Sequence, residues 1–386
     1  MTQSIARDRA QPRRQRALDL GIVDCDVHPM LPPGKPLMEY VPEEWKLALQ
    51  HVNMGYEKLD GPRFNKPHAT NRVDAKPPSG GAPGSDPDFM IKHMLEPRNV
   101  LYATLLPYQA GGLSAWANAD EAAIWARAFN MYFADHWLYD PRFKQAMVVS
   151  PHDPITAAEE IHRHAGTPGV VAVWIPLINI LLGKRYFNPI FEAASEYGLP
   201  IMLHGTGGSF QGSPQKAGGL PSTFAEIYGS IALGGLGITT LSSLIFEGVF
   251  ERFPRLKVIF VEMGFAWVGP ALWKMDRAWQ SFRVQVPWCK RPPSEYVADH
   301  VRFTTQPADE PADREQLLNA VRAMHGERTL LLSSDYPHWD GDNPKLLFAG
   351  FPEELKRRIF LENALETFGP DLLPPPSPPS KDEVSV

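Results

Sequence analysis

Short apolar runs rich in β-branched residues recur along this chain, and turn-forming residues bound each run. Runs of this length and composition are typical of strands that are buried on both faces. Eight of them can be counted, at residues 21–28, 99–106, 143–150, 169–176, 199–205, 256–263, 300–306 and 328–335.

The stretches between most of these runs repeat their apolar residues at helical spacing. Six such stretches predict helices, at residues 121–139, 154–164, 188–197, 241–253, 265–282 and 313–324. Repeated alternation of strand and helix predicts a parallel sheet, and eight such strands close into a barrel. The predicted fold class is therefore α/β, a (β/α)₈ TIM barrel. A doubly wound open sheet is less favoured, because no G-x-G-x-x-G follows the first strand.

Two long insertions interrupt the alternation, at about 41–97 after strand 1 and at about 206–239 after strand 5. Both contain many Gly and Pro residues, and long loops of this kind in compact domains often carry function, so each is predicted to act as a lid. The barrel is predicted to cover 19–370. A flexible basic arm precedes it at 1–18, and a Pro-rich disordered tail follows it at 371–386.

Composition narrows the function classes. The net charge of −6 argues against nucleic-acid binding, which requires clustered positive charge. Only two cysteines, Cys25 and Cys289, occur among the 386 residues, which excludes a disulfide framework and suits a reducing cytoplasm. The uncharged stretch 227–246 mixes glycines with Ser and Thr and is a poor membrane span. We therefore expect a cytoplasmic protein without nucleic-acid or membrane partners.

Candidate chemistry lies at the ends of the predicted strands, where a (β/α)₈ barrel assembles its active site. Asp26 and His28 stand two residues apart on strand 1, so their side chains share one face of that strand. His204 ends strand 5 and Asp335 ends strand 8. Two imidazoles with two carboxylates suit Zn, Mn or Fe better than Ca or Mg, which predicts a divalent metal site.

Two further residues are candidates for the same site. Glu262 ends strand 6 and could bind or bridge a second ion, or act as a general base. His338 follows Asp335 by three residues and could serve as a ligand, an acid/base group or a partner of a ligand. The predicted metal ligands are Asp26, His28, His204, Asp335 and Glu262. The predicted catalytic residues are Glu262, His338 and Asp335, with one or two ions.

These residues match a known pattern. The chain resembles the amidohydrolase-related (amidohydrolase-2) family of the amidohydrolase superfamily, in its aminocarboxymuconate-semialdehyde decarboxylase-like branch. The resemblance covers roughly residues 20–368 and rests on Asp26-Val27-His28, His204-Gly205 and Ser334-Asp335-Tyr336-Pro337-His338, together with the stretches 246–254 and 256–262. It implies a metal-dependent (β/α)₈ barrel that acts on a small organic molecule by hydrolysis or non-oxidative decarboxylation, through metal-activated water or a polarised substrate.

The chain departs from the family pattern at two positions. Asp26 stands where many members carry the first histidine of an H-x-H motif. Strand 6 ends in Glu262-Met263-Gly264, where the decarboxylases commonly place a histidine.

The sequence leaves two alternatives open. A partial resemblance to 2-aminoisobutyric acid hydroxylase subunits implies a dinuclear non-haem oxygenase with Mn/Fe or two irons. A weakly active partner subunit with a structural metal is the second alternative, since Trp267 could fill space near Glu262. The expected partners are a small-molecule substrate and either a second copy of the chain or a related subunit.

Overall fold

The computed structural model describes residues 21–51, 71–116, 118–205, 222–308, 310–341 and 343–369. The predicted arm at 1–18 and the predicted tail at 371–386 lie outside these ranges, as do parts of both insertions.

Eight parallel strands form one sheet in chain order, β1 to β8. Each lies within a stretch predicted from the sequence, so the predicted (β/α)₈ barrel is confirmed. The strands are β1 Ile22–Val27, β2 Val100–Leu105, β3 Phe143–Val148, β4 Val170–Pro176, β5 Ile201–His204, β6 Val258–Val261, β7 Val301–Thr304 and β8 Leu330–Leu331.

Backbone hydrogen bonds beyond the short strand β8 close the barrel against β1. The amide of Cys25 donates to the carbonyl of Leu332 (2.9 Å), and the amide of Asp335 donates to the carbonyl of Asp26 (3.1 Å). The first and last strand ends are thereby held side by side, which brings residues from opposite ends of the chain to one point of the barrel mouth.

Helices surround the sheet, and all six predicted stretches are helical over most of their length. Local sequence explains where several begin. The Asn118 side chain accepts from the amides of Asp120 and Glu121, and the Asp153 side chain accepts from the amide of Ile155, as N-cap residues do. The α-helices are Glu43–Leu49, Pro87–Met90, Glu96–Arg98, Ala119–Trp137, Pro154–His164, Asn188–Glu196, Ser222–Phe246, Val249–Arg252, Val268–Phe282, Pro293–His300, Arg314–Ala323, Gly326–Thr329, Pro344–Leu347, Glu353–Arg357 and Asn363–Phe368.

Shorter helical segments connect these elements. The 3₁₀ turns are Pro36–Tyr40, Val73–Ala75, Tyr108–Ala115, Arg185–Phe187 and Arg283–Gln285, and the π-helical segments are Ile91–Leu95 and Arg358–Glu362. Of the helices in the described ranges, none is both long enough and apolar enough to cross a bilayer.

The second insertion differs from the sequence prediction, because a helix begins at Ser222 and not near residue 241. Its glycines allow close packing. A Cβ atom on Gly237 would lie 2.7 Å from Cζ2 of Trp267, and one on Gly234 would lie 3.4 Å from Cδ1 of the same ring. The helix ends before Gly248, which adopts a left-handed φ of 75° and separates it from Val249–Arg252. A lid role remains a prediction for residues 206–221, which are outside the described ranges.

The described part of the first insertion contacts the barrel mouth. Asn71 forms an antiparallel bridge with His338, and the amide of Arg72 donates to the carbonyl of Pro337 (2.8 Å). The amide of Met30 donates to the carbonyl of Gly84 (2.9 Å). The insertion is therefore bonded to the loops that follow β1 and β8.

Candidate metal centre

The carboxyl ends of four strands deliver five polar side chains to the barrel mouth. Asp26 lies in β1 and His28 just beyond it, while His204 is the last residue of β5. Glu262 follows β6 directly, and Asp335 follows β8 by four residues. The structure gathers the five predicted metal ligands and His338 into two overlapping groups. One contains Asp26, His28, His204 and Glu262, and the other contains His28, Glu262, Asp335 and His338.

Short contacts join these side chains into one cluster. His28 Nε2 lies 3.2 Å from Oδ1 of Asp26 and 3.1 Å from Oδ1 of Asp335. His204 Nε2 lies 2.8 Å from Oε2 of Glu262. His338 Nδ1 lies 2.8 Å from both carboxylate oxygens of Asp335. Asp26 and Asp335 are fully buried.

Hydrogen bonds to the Nδ1 atoms orient the imidazoles. His28 Nδ1 lies 2.9 Å from the carbonyl oxygen of Leu106, and His204 Nδ1 lies 2.7 Å from that of Gly205. Because carbonyl oxygens only accept, each Nδ1 carries a proton, and Nε2 is the nitrogen that can bind an ion once its own proton has left. This arrangement is found in histidines that bind metals through Nε2.

Apart from the close carboxylate–imidazole contacts given above, several buried atoms of the cluster have no hydrogen-bond partner among the described residues. They are both carboxylate oxygens of Asp26 and the Nε2 atoms of His28, His204 and His338. Buried polar groups are almost always satisfied, and leaving one unsatisfied costs about 1–3 kcal/mol. A divalent ion bound by Asp26, His28 and His204, with Glu262 beside them, would satisfy the unpartnered atoms of Asp26, His28 and His204, so these residues fit a metal.

The pKa values reflect strong mutual charge effects at this site. Burial, with the charge of Asp335, raises the pKa of Asp26 to about 7. Burial alone would lower the pKa of His28, but Asp26 and Asp335 outweigh it and raise that pKa to about 10. The pKa of Asp335 lies below its ordinary value, because His338 and His28 outweigh the effect of burial. The metal-free cluster therefore holds protons where an ion would bind.

Two of the carboxylates stand on an unusual backbone. Glu262 has a φ of 55° and Asp335 a φ of 56°, both in the left-handed region that residues with a Cβ rarely adopt. The Glu262 amide donates to Oγ1 of Thr304 on β7 (3.0 Å), which fixes this conformation. Such backbone strain is concentrated at functional sites in proteins.

One residue beside the cluster was missed by the sequence reasoning. Asp340 is half-buried, and burial together with the charges of Asp335 and Glu262 raises its pKa to about 7. A signal was available, since Asp340 follows Asp335 by five residues in the loop that carries His338.

Aromatic rings border the cluster. Tyr108 lies edge-on to His338 (5.4 Å between ring centroids) and to His28 (6.3 Å), and Trp174 lies edge-on to His204 (6.3 Å). Trp267, in contrast, donates from Nε1 to the carbonyl of Met263 (2.8 Å) and packs against Phe303. Together with its contact to Gly237, this places Trp267 between the barrel and the helix Ser222–Phe246.

A cleft of about 460 Å³ lies among residues that precede β6, β7 and β8, at the opposite end of the barrel from the cluster. Two of its charged groups, Arg291 and Arg328, form ion pairs with Asp299 (2.6 and 3.3 Å). In barrels of this type the strand amino ends serve stability, and active sites lie at the carboxyl ends. The metal cluster is therefore the candidate functional site.

Comparison with known proteins agrees with this architecture. The family model Amidohydro_2, described as Amidohydrolase, matches residues 23–369. Decarboxylase orsB of Emericella nidulans is 33% identical over 138 residues, which are 32% of this chain and 39% of that protein. Gamma-resorcylate decarboxylase of Polaromonas sp. is 24% identical over 68% of this chain and 82% of its own length.

A solved structure shows the same fold. The 5-carboxyvanillate decarboxylase of Novosphingobium aromaticivorans, complexed with manganese and 4-hydroxy-3-methoxy-5-nitrobenzoic acid, superposes with a TM-score of 0.66. It shares 20% sequence identity, over 91% of this chain and 97% of that one. The oxygenase alternative finds no support in these matches, which carry decarboxylase and amidohydrolase descriptions.

Proposed function

Because the chain belongs to the amidohydrolase family, we propose that it is a metal-dependent decarboxylase that removes CO₂ from a small aromatic carboxylic acid. The observation that carries the proposal is a buried set of potential metal-ligand atoms at the barrel mouth. The set contains the carboxylates of Asp26 and Asp335 and the Nε2 atoms of His28, His204 and His338. The decarboxylase descriptions of the relatives support the reaction type, and manganese in one related structure supports the metal class.

The rings at the mouth support an aromatic substrate. Tyr108 and Trp174 present their edges to the histidines of the cluster, and aromatic groups pack well in such surroundings. A metal bound by Asp26, His28, His204 and Asp335 would supply a Lewis acid that attracts the substrate carboxylate. The hydrogen bonds of His28 and His204 to backbone carbonyls would hold their rings in place during binding.

Non-oxidative decarboxylation requires one proton. The ring carbon that bears the carboxylate gains a proton, the bond to the carboxylate breaks, and its electron pair returns to the ring as CO₂ leaves. Three groups can carry this proton: Glu262 and the Asp335–His338 pair, which belong to the cluster, and Asp340, which lies beside it. The catalytic assignment of Glu262, His338 and Asp335 stays a prediction.

The test uses the full chain loaded with Mn²⁺ and offered 2,6-dihydroxybenzoate and 5-carboxyvanillate, with products separated chromatographically and released CO₂ measured. We expect decarboxylation by the wild type and a loss of about 100-fold or more in His204→Ala, because a Lewis acid contributes several kcal/mol. The exposed His162 provides the control, and His162→Ala should keep wild-type activity.

Failure of the fully loaded wild type to decarboxylate any of a panel of hydroxybenzoic acids would contradict the proposal. Consumption of O₂ in step with substrate loss would instead identify an oxygenase. We further propose a cytoplasmic location, supported by the two free, buried cysteines Cys25 and Cys289. Assembly as a homo-oligomer or with a related subunit remains part of this proposal.

A further inference from the structure

The cleft at the opposite end of the barrel from the metal cluster carries more positive than negative charge, and we call it the basal cleft. Its volume of about 460 Å³ falls within the range of small-molecule sites. The residues that line it include Phe250, Lys257, Arg291, Tyr296, Asp299 and Arg328.

The two carboxylates of the basal cleft already have cationic partners. Asp299 contacts Arg291 (2.6 Å) and Arg328 (3.3 Å), so one carboxylate faces two guanidinium groups. Glu251 contacts Nζ of Lys290 (3.1 Å). Neither carboxylate is therefore free to balance a further positive charge.

Lys257 adds such a charge. This residue lines the cleft and is half-buried, and its Nζ donates to the backbone carbonyl of Asp299. It forms no ion pair with any residue that the structure describes. Burial, followed by the charge of Arg302, lowers the pKa of Lys257. A negatively charged ligand beside the ammonium group would stabilise it.

Arg302, in β7, provides an independent observation. It is only 4% exposed, and its Nε has no hydrogen-bond partner within the described ranges. One guanidinium nitrogen donates to the carbonyls of Ala298 (3.3 Å) and Val301 (2.8 Å), against the helix that carries Asp299. Burial, with the charge of Arg328, lowers the pKa of Arg302 to about 10. A buried charge without a counter-ion is costly.

The charged residues next to the basal cleft pair with one another. Arg358 contacts Glu366, and Arg357 contacts Glu362. Two carboxylates in and beside the cleft therefore face five cations, and a phosphate dianion would balance this excess better than a single carboxylate would. The five cations are Lys257, Lys290, Arg291, Arg302 and Arg328.

We propose that the basal cleft binds a small molecule through a phosphate group that contacts Lys257, Arg291 and Arg328. The bound phosphate also offsets the nearby buried charge of Arg302. Guanidinium groups match the oxygens of phosphate, and the guanidinium of Arg291 is held in advance over the ring of Tyr296 (4.7 Å). The inference is independent of the proposed function, since the metal cluster lies at the other end of the barrel.

Isothermal titration calorimetry of the full-length protein tests the site, with inorganic phosphate, phenyl phosphate and benzoate as ligands. The buffer contains about 0.15 M NaCl, which screens long-range attraction. An ion at the barrel mouth also attracts anions, so each titration is made with Mn²⁺ bound and again after chelation, and only binding common to both forms is assigned to the cleft. We expect one phenyl phosphate per chain with a Kd below about 1 mM, and benzoate at least about tenfold weaker.

Two single-charge changes in one contacting pair should have opposite effects. Arg328→Gln removes a cation from an exposed position and should weaken the binding of phenyl phosphate about tenfold. Asp299→Asn removes the competing carboxylate and should strengthen binding by a similar factor. Loss of structure would weaken binding in both variants, because both break the same ion pair. Arg314→Gln is the control: Arg314 is similarly exposed, contacts Glu310 and lies outside the cleft, so the Kd should not change.

The two sources of phosphate separate in the same titrations. Tighter binding of phenyl phosphate than of inorganic phosphate would identify an organic phosphate as the ligand, and equal binding would identify the free ion. Absence of phosphate and phenyl phosphate binding at up to about 10 mM would overturn the inference. So would tighter binding of benzoate, or an unchanged Kd in both Arg328→Gln and Asp299→Asn. Assays of CO₂ release decide the proposed function separately.

Discussion

At the residue scale, the left-handed backbone at Glu262 and Asp335 places two carboxylates in the site at a cost in folding stability. Both carboxylates follow a strand and turn into the mouth with φ near 55°. An L residue in this conformation costs about 1–2 kcal/mol relative to the right-handed region, and aspartate bears the cost better than glutamate does. The chain retains the conformation where its carboxylates converge.

A pair of substitutions at Glu262 isolates this backbone cost. Glu262→Ala and Glu262→Gly both remove the carboxylate and differ only in the Cβ atom. At ordinary positions glycine is the less stable of the two, but here Glu262→Gly should be more stable by about 1 kcal/mol, because only alanine is strained at positive φ. Urea unfolding of the two metal-free variants measures the difference. A more stable alanine variant would show that the position is not strained.

A second residue-scale prediction concerns His164, at the end of the helix Pro154–His164. Burial lowers its pKa from 6.5 to about 4, and its Nε2 has no hydrogen-bond partner among the residues described. Between pH 6.5 and 4 the unfolded chain binds a proton that the folded chain does not, so the stability contributed by neutral His164 is present above pH 6.5 and lost as pH falls.

Lowering the pH from 7 to 5 should therefore destabilise the wild type by about 1–2 kcal/mol more than His164→Gln, which cannot titrate in this range. Denaturant unfolding at both pH values measures the effect. His162→Gln on the same helix is the control and should keep the wild-type pH dependence. An equal pH dependence in His164→Gln and the wild type would contradict the assignment.

At the scale of elements, the helix Ser222–Phe246 shows how glycine can serve a helix. Glycine usually lowers helix stability, and the local pattern predicted a loop. The structure shows why glycine is needed here, since the indole of Trp267 lies where side chains on Gly234 and Gly237 would project. This contact joins residues distant in sequence, so a pattern read along the chain could not reveal it.

Two alanine substitutions on this helix should have opposite effects. Gly237→Ala places its Cβ 2.7 Å from a rigid ring and should destabilise the protein by about 1–3 kcal/mol, as overpacking does. Gly235→Ala meets nothing within 4 Å and should stabilise it by up to about 1 kcal/mol through helix propensity. Thermal and urea unfolding of both variants test this. Effects of the same sign would refute the packing account.

At the scale of the whole molecule, the metal should act as a structural bond across the barrel. Ions that bind the folded state stabilise it by mass action, by about 3–4 kcal/mol at 100–1,000 times the dissociation constant. Because the ligands come from β1, β5, β6 and the segment after β8, chelation should weaken the barrel as a unit.

Removing metal with a chelator should therefore lower the Tm of the wild type by about 5–15 °C, and Mn²⁺ should restore it. Differential scanning calorimetry measures both changes. His204→Ala should begin near the Tm of the metal-free wild type and respond little to Mn²⁺. A wild-type Tm that is indifferent to chelation would contradict a tightly held ion.

The sequence predicted the fold because strand and helix periodicities are local, and eight regular repeats permit few topologies. It predicted Asp26, His28, His204, Glu262 and Asp335 as neighbours because strand ends of a barrel meet at one face. The spacing from Asp335 was a signal for Asp340, but the sequence could not reveal that Asp340 also lies within the influence of Glu262, nor that His28 faces two aspartates at once. Those relations depend on distances that arise only when the barrel closes.

The hydrogen bond from the Asp335 amide to the Asp26 carbonyl joins the last part of the barrel to the first, so the metal site depends on both. The predicted ligands extend from Asp26 in β1 to Asp335 after β8, so no nascent fragment that ends before β8 contains the complete ligand set. A chain truncated there would lack Asp335 and His338 altogether. Binding of metal by the complete ligand set therefore has to follow synthesis of β8 and of the segment that carries Asp335.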